Sequence, residues 1–285
     1  MEAGMAPTPK HYDGPDGPGD VVLTVLAPAH NEAGNIAELV DQVGEACRGL
    51  GVAFEFLIVD DGSTDDTRAR IVGLMPDRPW LRCVAMTNTP PGKGNGQSAA
   101  FHAGFRAARG RLVALLDADL QNDPADIPRL YDEMKRTGAD FVQGDRSEVR
   151  RQGDAWIRRV GSIVGRLFRR WLLGDMIRDT GCSLRLVKRE IGLRLPLEFR
   201  GMHRFIPATA RHLGYTVVEM PVNHRPRAHG ETKYGAGVLT RALPGLIDCF
   251  AVRWMRNRRR AVTCDAVETA GAASTAVPAA EEVHA

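Results

Sequence analysis

The chain has 285 residues, 44% of them hydrophobic and 26% charged. That length and balance support a sizeable buried core and exclude a wholly disordered chain. Five cysteines, Cys47, Cys83, Cys182, Cys249 and Cys264, are odd in number and scattered, without C-x-x-C spacing or a histidine cluster. This excludes a disulfide framework and points to reduced thiols in a cytosolic setting. The formal net charge of +3 conceals an uneven spread, because arginines crowd residues 150–170 and 253–260.

Residues 1–20 are rich in Gly and Pro, lack the apolar run of a secretory signal, and read as a disordered leader. From Val21, short β-branched runs alternate with helix-length segments. Val21–Ala27, Phe54–Val59, Leu81–Met86, Leu112–Leu116 and Phe141–Gln143 read as strands, and Ile36–Arg48, Thr64–Leu74, Ser98–Arg109 and Ile127–Thr137 as helices. Such βαβ alternation predicts an α/β fold with a doubly wound, mostly parallel sheet flanked by helices. The main domain is expected to span 21–235, followed by a basic amphipathic segment at 236–260 and an unstructured tail of small residues at 261–285. No apolar run reaches the roughly 20 residues of a spanning helix. The best candidate, Val238–Met255, is interrupted by Arg241, Asp248 and Arg253.

In sheets of this kind ligands bind outside the carboxyl ends of the strands, and the polar residues gather there. Pro28, His30, Asn31 and Glu32 follow the first strand, Asp60 and Asp61 end the second, Asp117 and Asp119 follow the fourth, and Asp145 and Arg146 follow the fifth. Each cluster has a local alternative: Ser63 with Asp66 fits a helix cap, and Asn31 and Glu32 fit a solvated turn. Acids converging on one crevice nevertheless repel, and a cation or a nucleotide makes sense of them.

Asp117, Asp119 and Gln121 stand at every second position after an apolar strand, so an extended or turning chain points three oxygen-bearing side chains one way. Mg²⁺ and Mn²⁺ take such oxygens and complete their shells with phosphates and water. The alternative is an acidic turn in which Asp123 caps a helix with Pro124 at its first position. Gly94-Asn95-Gly96-Gln97-Ser98-Ala99 matches the dinucleotide fingerprint G-x-G-x-x-A. It follows the third strand, however, and that role leaves Asp119 and Gln121 without a task. A flexible loop over residues 92–96 near a nucleotide, with Lys93 offered to a phosphate, is the more economical reading.

On a helical wheel over residues 154–173, Trp156, Ile157, Val160, Ile163, Val164, Leu167, Phe168, Trp171 and Leu172 fill one half, and Arg158, Arg159, Arg166, Arg169 and Arg170 the other. Two tryptophans opposite five arginines suit an anionic bilayer interface; packing on the core is the alternative. Arg158 and Ser162 are four apart on the polar face and suit a phosphate. Arg253, Arg256, Arg258, Arg259 and Arg260 beside Phe250, Trp254 and Met255 form a second basic segment. No nucleic-acid motif accompanies these clusters, so nucleic acid is not expected as a partner.

The strings Ala27-Pro28-Ala29-His30-Asn31-Glu32, Val59-Asp60-Asp61-Gly62-Ser63-Thr64 and Asp117-Ala118-Asp119-Leu120-Gln121-Asn122-Asp123-Pro124 together resemble family 2 glycosyltransferases, above all the dolichol-phosphate mannosyltransferase and polyprenyl-phosphate type. Asp179–Arg185, His224-Arg225-Pro226-Arg227, Gly230 and Thr232-Lys233-Tyr234 extend the match. The resemblance implies a GT-A catalytic domain that binds a nucleotide sugar, GDP-mannose favoured, with Mg²⁺ or Mn²⁺, and transfers the hexose to a polyprenyl phosphate with inversion. It implies a peripheral protein on the cytoplasmic face of the membrane, and leaves room for a membrane-protein partner. Carried over by position, Pro28, Asn31, Glu32, Asp60, Asp61, Lys93, Asp117 and Ala118 contact the donor, and Asp117, Asp119 and Gln121 hold the metal. Arg146, Arg158, Ser162 and Arg225 meet the acceptor phosphate, with Asp119, Arg225 and Lys233 at the reaction centre. His30 stands where many relatives carry Tyr, and no Q-x-x-R-W string marks a processive synthase. Alternatives are a UDP-glucose or UDP-N-acetylglucosamine donor, a non-lipid acceptor, or a non-catalytic nucleotide-binding module at a membrane surface.

Overall fold

The computed structural model describes residues 20–90, 92–148, 156–226 and 238–260, with side chains in the last two segments described from Ile163 and Pro244 onward. The leader, the tail and the block from Gly230 to Tyr234, including Lys233, lie outside the described residues, as does Arg227.

Seven strands form one sheet in the order β3-β2-β1-β4-β6-β5-β7. The five expected strands are present as β1 (Leu23–Ala29), β2 (Phe54–Asp60), β3 (Leu81–Ala85), β4 (Leu112–Leu115) and β5 (Phe141–Asp145). Between them run α1 (Ile36–Arg48), α2 (Thr67–Leu74), α3 (Gln97–Ala107) and α4 (Asp126–Thr137). Helix α2 starts three residues later than the pattern predicts, because the N–H groups of Thr64 and Asp65 are taken by the Asn31 side chain. Beyond β5 come α5 (Trp156–Leu173), β6 (Arg185–Lys188), α6 (Arg189–Arg194), a 3₁₀ turn at Met202–Phe205, α7 (Ile206–His212), β7 (Val217–Pro221) and α8 (Val238–Arg258). Strand β6 runs antiparallel between β4 and β5, and every other pairing is parallel.

Both faces of the sheet are covered, which is why the strands read as nearly continuous apolar runs. Val25, Ala27, Phe56 and Ile58 face α1 and α4 through Leu39, Val43, Leu130 and Met134. Their alternating neighbours Leu26, Leu57 and Val59 face Phe101 and Phe105 of α3, Ile191 of α6 and Ile206 of α7. The connections from β1 lead outward to β2 and β3, while β4 lies on the other side of β1. The crevice between β1 and β4 is therefore the switch point at which such sheets bind ligands.

The sequence treats Arg169 as part of a solvated basic face, and the structure turns it inward. Its guanidinium meets Thr180 Oγ1 and lies 3.7 Å from the Asp175 carboxylate. Leu172, assigned to the apolar half, is buried, and Phe168 packs edge-on against Phe250 of α8 at 5.9 Å between ring centroids. Arg253 donates to Leu172 O at 2.6 Å and Arg256 donates to Leu173 O, so α8 caps the last carbonyls of α5. Ile163, Val164, Leu167 and Trp171 stay exposed.

Two predictions follow from this packing. A methyl group at Gly104 of α3 would collide with the Leu26 side chain on β1, so Gly104→Ala should cost about 1–3 kcal/mol by overpacking, measured by urea denaturation. His203 is half-buried, with Nδ1 2.9 Å from Ser98 Oγ. Burial first, then Arg204 and Arg185, push its imidazole down to about 3. Unfolding thus takes up a proton below the ordinary histidine value, and stability falls as pH drops from about 6.5. Between pH 7 and 5 the group should contribute a loss of up to about 2 kcal/mol. Calorimetry of wild type and His203→Gln at both pH values should show that component missing from the variant.

Candidate active site

The loop after β1 and the loop after β2 are laced together by side chains. Asn31 adopts φ 56°, a left-handed conformation that asparagine tolerates. Its Oδ1 accepts from Thr64 N at 2.8 Å, and its N–H donates to Ser63 Oγ at 3.0 Å. Ser63 therefore serves this joint and does not cap α2. Glu32 N–H donates to Thr67 Oγ1 at 2.8 Å, and its carboxylate accepts from Asn35 Nδ2 at 2.7 Å. His30 Nδ1 lies 2.8 Å from Asp61 O. Pro28 is half-buried in register with Val59.

Asp60 is fully buried and internally satisfied: Arg68 Nε donates to it at 2.6 Å and Ser63 N at 3.0 Å. Asp61, also buried, accepts from Asn95 N at 2.8 Å and Gly96 N at 2.7 Å. A side chain at Gly94 would strike that carboxylate, and Gly96 sits at φ 95°. The fingerprint-like string is thus the receptor for Asp61, and both N–H groups are committed to it. Lys93 is exposed at the edge of this loop.

After β4 the chain turns sharply at Leu120, φ 60°. Asp117 N–H bonds Asn122 Oδ1 at 3.2 Å, and Gln121 N–H bonds Asp119 Oδ1 at 3.1 Å. Burial first, and the charge of Asp119 second, push the Asp117 carboxyl up to about 6, against the Ser183 hydrogen bond, Arg146 and Arg185. The structure therefore brings Asp117 and Asp119 together as a repelling, desolvated pair, with Ala118 buried between them. Both oxygens of Asp117 are held, Oδ1 by Gln97 Nε2 and Oδ2 by Ser183 Oγ, each at 2.6 Å. Gln121 joins this turn through its backbone, its carbonyl accepting from Arg225 N at 2.9 Å.

The residues present fit a hard divalent cation. Two carboxylates sharing a poorly solvated space are stabilised by a positive charge between them, and their oxygens are the donors that Mg²⁺ and Mn²⁺ take. Among the described residues no three acidic, histidine or cysteine side chains cluster as a metal cage. A cation here would complete its shell with substrate phosphate oxygens and water, as Mg²⁺ commonly does.

Two of the arginines assigned to phosphates, Arg146 and Arg225, are engaged within the protein. Arg146 forms a two-pronged pair with Asp179, Nε to Oδ2 at 2.9 Å and Nη2 to Oδ1 at 3.3 Å. Arg225 spans Asp123 at 2.6 Å and Gln42 at 2.8 Å, and so pins the acidic turn to α1. Asp123 also accepts from Ala125 N at 3.0 Å and so closes the turn, but it does not cap the helix with Pro124 at its first position as the alternative reading expects, because α4 begins at Asp126 with Ala125 before it. Arg158 and Ser162 lie on the part of α5 whose side chains are outside the described residues. Sequence reasoning assigned no role to Asp179, Gln97, Ser183 or Arg185. The last is a buried cation donating to the carbonyls of Cys182, Ser183 and His203. Cys182 nearby is pushed up to about 11, chiefly by burial, so it stays a thiol and offers no nucleophile.

The family model for Glycosyl transferase family 2 matches residues 24–191. Undecaprenyl-phosphate 4-deoxy-4-formamido-L-arabinose transferase of Pseudomonas aeruginosa (strain LESB58) is 38% identical over 235 residues, covering 82% of this chain and 67% of the relative. Dodecaprenyl-phosphate galacturonate synthase of Rhizobium johnstonii is 33% identical over 243 residues, covering 84% and 68%. Among solved structures, glucosyl-3-phosphoglycerate synthase of Mycobacterium tuberculosis with Mn²⁺, UDP and phosphoglyceric acid superposes with a TM-score of 0.60 at 21% identity, covering 85% of this chain and 80% of that one. A mannosyltransferase of Pyrobaculum calidifontis with GDP-Man and Mn²⁺ gives 0.51 at 21%, covering 72% and 59%. These likenesses agree with the GT-A-like sheet described above. The chain belongs to glycosyl transferase family 2 and is a glycosyltransferase.

Proposed function

We propose that the enzyme transfers a sugar from a UDP-linked donor to a polyprenyl phosphate, working from the surface of an anionic membrane. The observation that carries this reading is the Asp117–Asp119 pair in the turn after β4, with both Asp117 oxygens held in place, in a chain 33–38% identical to transferases named for undecaprenyl and dodecaprenyl phosphate. Those relatives are named for formamido-arabinose and galacturonate, which supports a donor other than the GDP-mannose expected from the motifs.

A divalent cation held by Asp117 and Asp119 would offset the charge that develops on the diphosphate leaving group. The Asn31–Ser63–Thr64 joint and the Asp61-bound loop shape the wall expected to take the nucleoside, with Pro28 and Glu32 beside it. A phosphate-monoester acceptor is already largely anionic at neutral pH, its second pKa lying near about 6. No strong general base is therefore required, and the displacement inverts the anomeric centre. The acidic turn also needs a stable shape, and Arg225 provides it through Asp123 and the Gln121 carbonyl.

The membrane part rests on α5 and α8. Among the described residues no helix is long and apolar enough to cross a bilayer. Trp171 is nevertheless 75% exposed and Trp254 60%, beside Val164, Leu167, Ile247 and Phe250, with Arg166, Arg170, Arg258 and Arg260 around them. Exposed tryptophans rimmed by arginines suit the headgroup layer of an anionic leaflet.

Asp119→Asn should lower sugar transfer into the organic phase at least about 100-fold, or about 2.7 kcal/mol of barrier, and a chelator should abolish wild-type transfer. With Mn²⁺ present, UDP should raise the melting midpoint more than GDP does. A labelled product that stays in the aqueous phase, or no turnover with any UDP-sugar, would count decisively against the proposal. Replacing Trp171 and Trp254 together by Ala should weaken co-sedimentation with phosphatidylglycerol vesicles at least about tenfold, with folding stability changed by no more than about 0.5 kcal/mol. Unchanged vesicle binding removes the membrane role of this face.

A further inference from the structure

The Asp117 carboxylate is held by two neutral donors from distant parts of the chain. Gln97, the first residue of α3, donates from Nε2 to Oδ1 at 2.6 Å, and Ser183, two residues before β6, donates from Oγ to Oδ2 at 2.6 Å. Gln97 Nε2 also lies 3.3 Å from Ser183 Oγ, which closes the three side chains into a triangle. Each anchor is itself held from behind. Asp61 binds the N–H groups of Asn95 and Gly96 and so fixes the residue that follows them, while Arg185 Nε donates to the Ser183 carbonyl at 3.3 Å.

The chemical character of this clamp is informative. Two cations stand close by, yet Arg146 is bonded to Asp179 and Arg185 to carbonyl groups, and neither hydrogen-bonds Asp117. An ionised carboxylate has about four lone-pair sites. One neutral donor on each oxygen fixes the carboxylate plane, leaves acceptor capacity on both oxygens, and leaves the charge unspent. A clamp serving stability alone would be better made by a two-pronged arginine, which neutralises the carboxylate as well as bonding both of its oxygens.

We propose that Gln97 and Ser183 are positioning residues, which orient Asp117 so that its unneutralised charge is presented to a divalent cation. This inference rests on the reading of Asp117 and Asp119 as the cation-binding pair. The test is Mn²⁺ binding in the presence of UDP, measured by calorimetry and by Mn²⁺ electron paramagnetic resonance, on wild type, Gln97→Met, Ser183→Ala and Ser183→Thr. Gln97→Met keeps the side chain's bulk and removes its N–H groups. Loss of an outer partner of a metal ligand typically costs about 10–100-fold in metal affinity, and that loss is expected for Gln97→Met and Ser183→Ala. Ser183→Thr, which retains the hydroxyl, should bind within about threefold of wild type. The Mn²⁺ concentration giving half-maximal transfer should rise in step with the binding constant.

Folded Gln97→Met and Ser183→Ala proteins that bind Mn²⁺ within twofold of wild type overturn the proposal. Weakened binding that is matched by loss of the melting transition, in both these variants and in Ser183→Thr, overturns it as well, since the clamp would then be structural. Wild type that binds no Mn²⁺ with UDP removes both this inference and the cation reading. Wild type that binds Mn²⁺ yet transfers sugar only to a water-soluble acceptor removes the lipid acceptor and leaves the clamp standing.

Discussion

Two acidic side chains kept close together in a poorly solvated crevice are an unfavourable arrangement, and much of the surrounding structure exists to sustain it. Asp117 and Asp119 repel each other where water screens them weakly. They remain together because the turn at Leu120 is over-determined: Asn122 and Gln121 bond into it, Arg225 holds it from the α1 side, and two neutral groups hold Asp117 from the sheet side. A favourable local structure would have separated these charges. On the reading proposed above, a cation between them relieves this repulsion.

A second theme is the use of internal ion pairs as scaffolding around that crevice. Asp60 with Arg68, Asp179 with Arg146 and Asp123 with Arg225 each tie one strand-end loop to another element. Such pairs fix geometry more than they add stability: desolvation offsets the attraction of the buried Arg146–Asp179 pair, and solvent screens the half-exposed Arg68 and Arg225. The acids that crowd the strand ends therefore divide into two groups. Asp60, Asp123 and Asp179 are matched by arginines, whereas Asp61 is matched by backbone N–H groups and Asp117 by neutral side chains.

Much of this was legible in the sequence. Strands β1 to β5 announce themselves because both of their faces are buried, which leaves uninterrupted β-branched runs, and their spacing to α1–α4 is regular. Strand β6 was not legible: Arg185-Leu186-Val187-Lys188 is four residues long and begins and ends with a cation. Strand β7 carries Glu219 and ends on Pro221. The acidic pair was readable from its spacing, since both members sit in one short turn. The acidic partners of Arg146, Arg225 and Arg169 were not, because each lies at least several residues away in a loop, and the motifs offer Arg146 and Arg225 to a phosphate and Arg169 to a solvated face. Gln97 was concealed differently, within a string whose resemblance to a dinucleotide loop drew attention to its glycines.

The bonds from Arg253 and Arg256 to the final carbonyls of α5 have a mechanical meaning. They lock two helices that are far apart in sequence into a single braced unit, from which Trp171 and Trp254 stand exposed. A chain standing on two separate amphipathic helices could rock about either one. One braced unit cannot rock in that way, so on the membrane reading proposed above the tilt of the crevice over a bilayer follows from the packing of two helix ends.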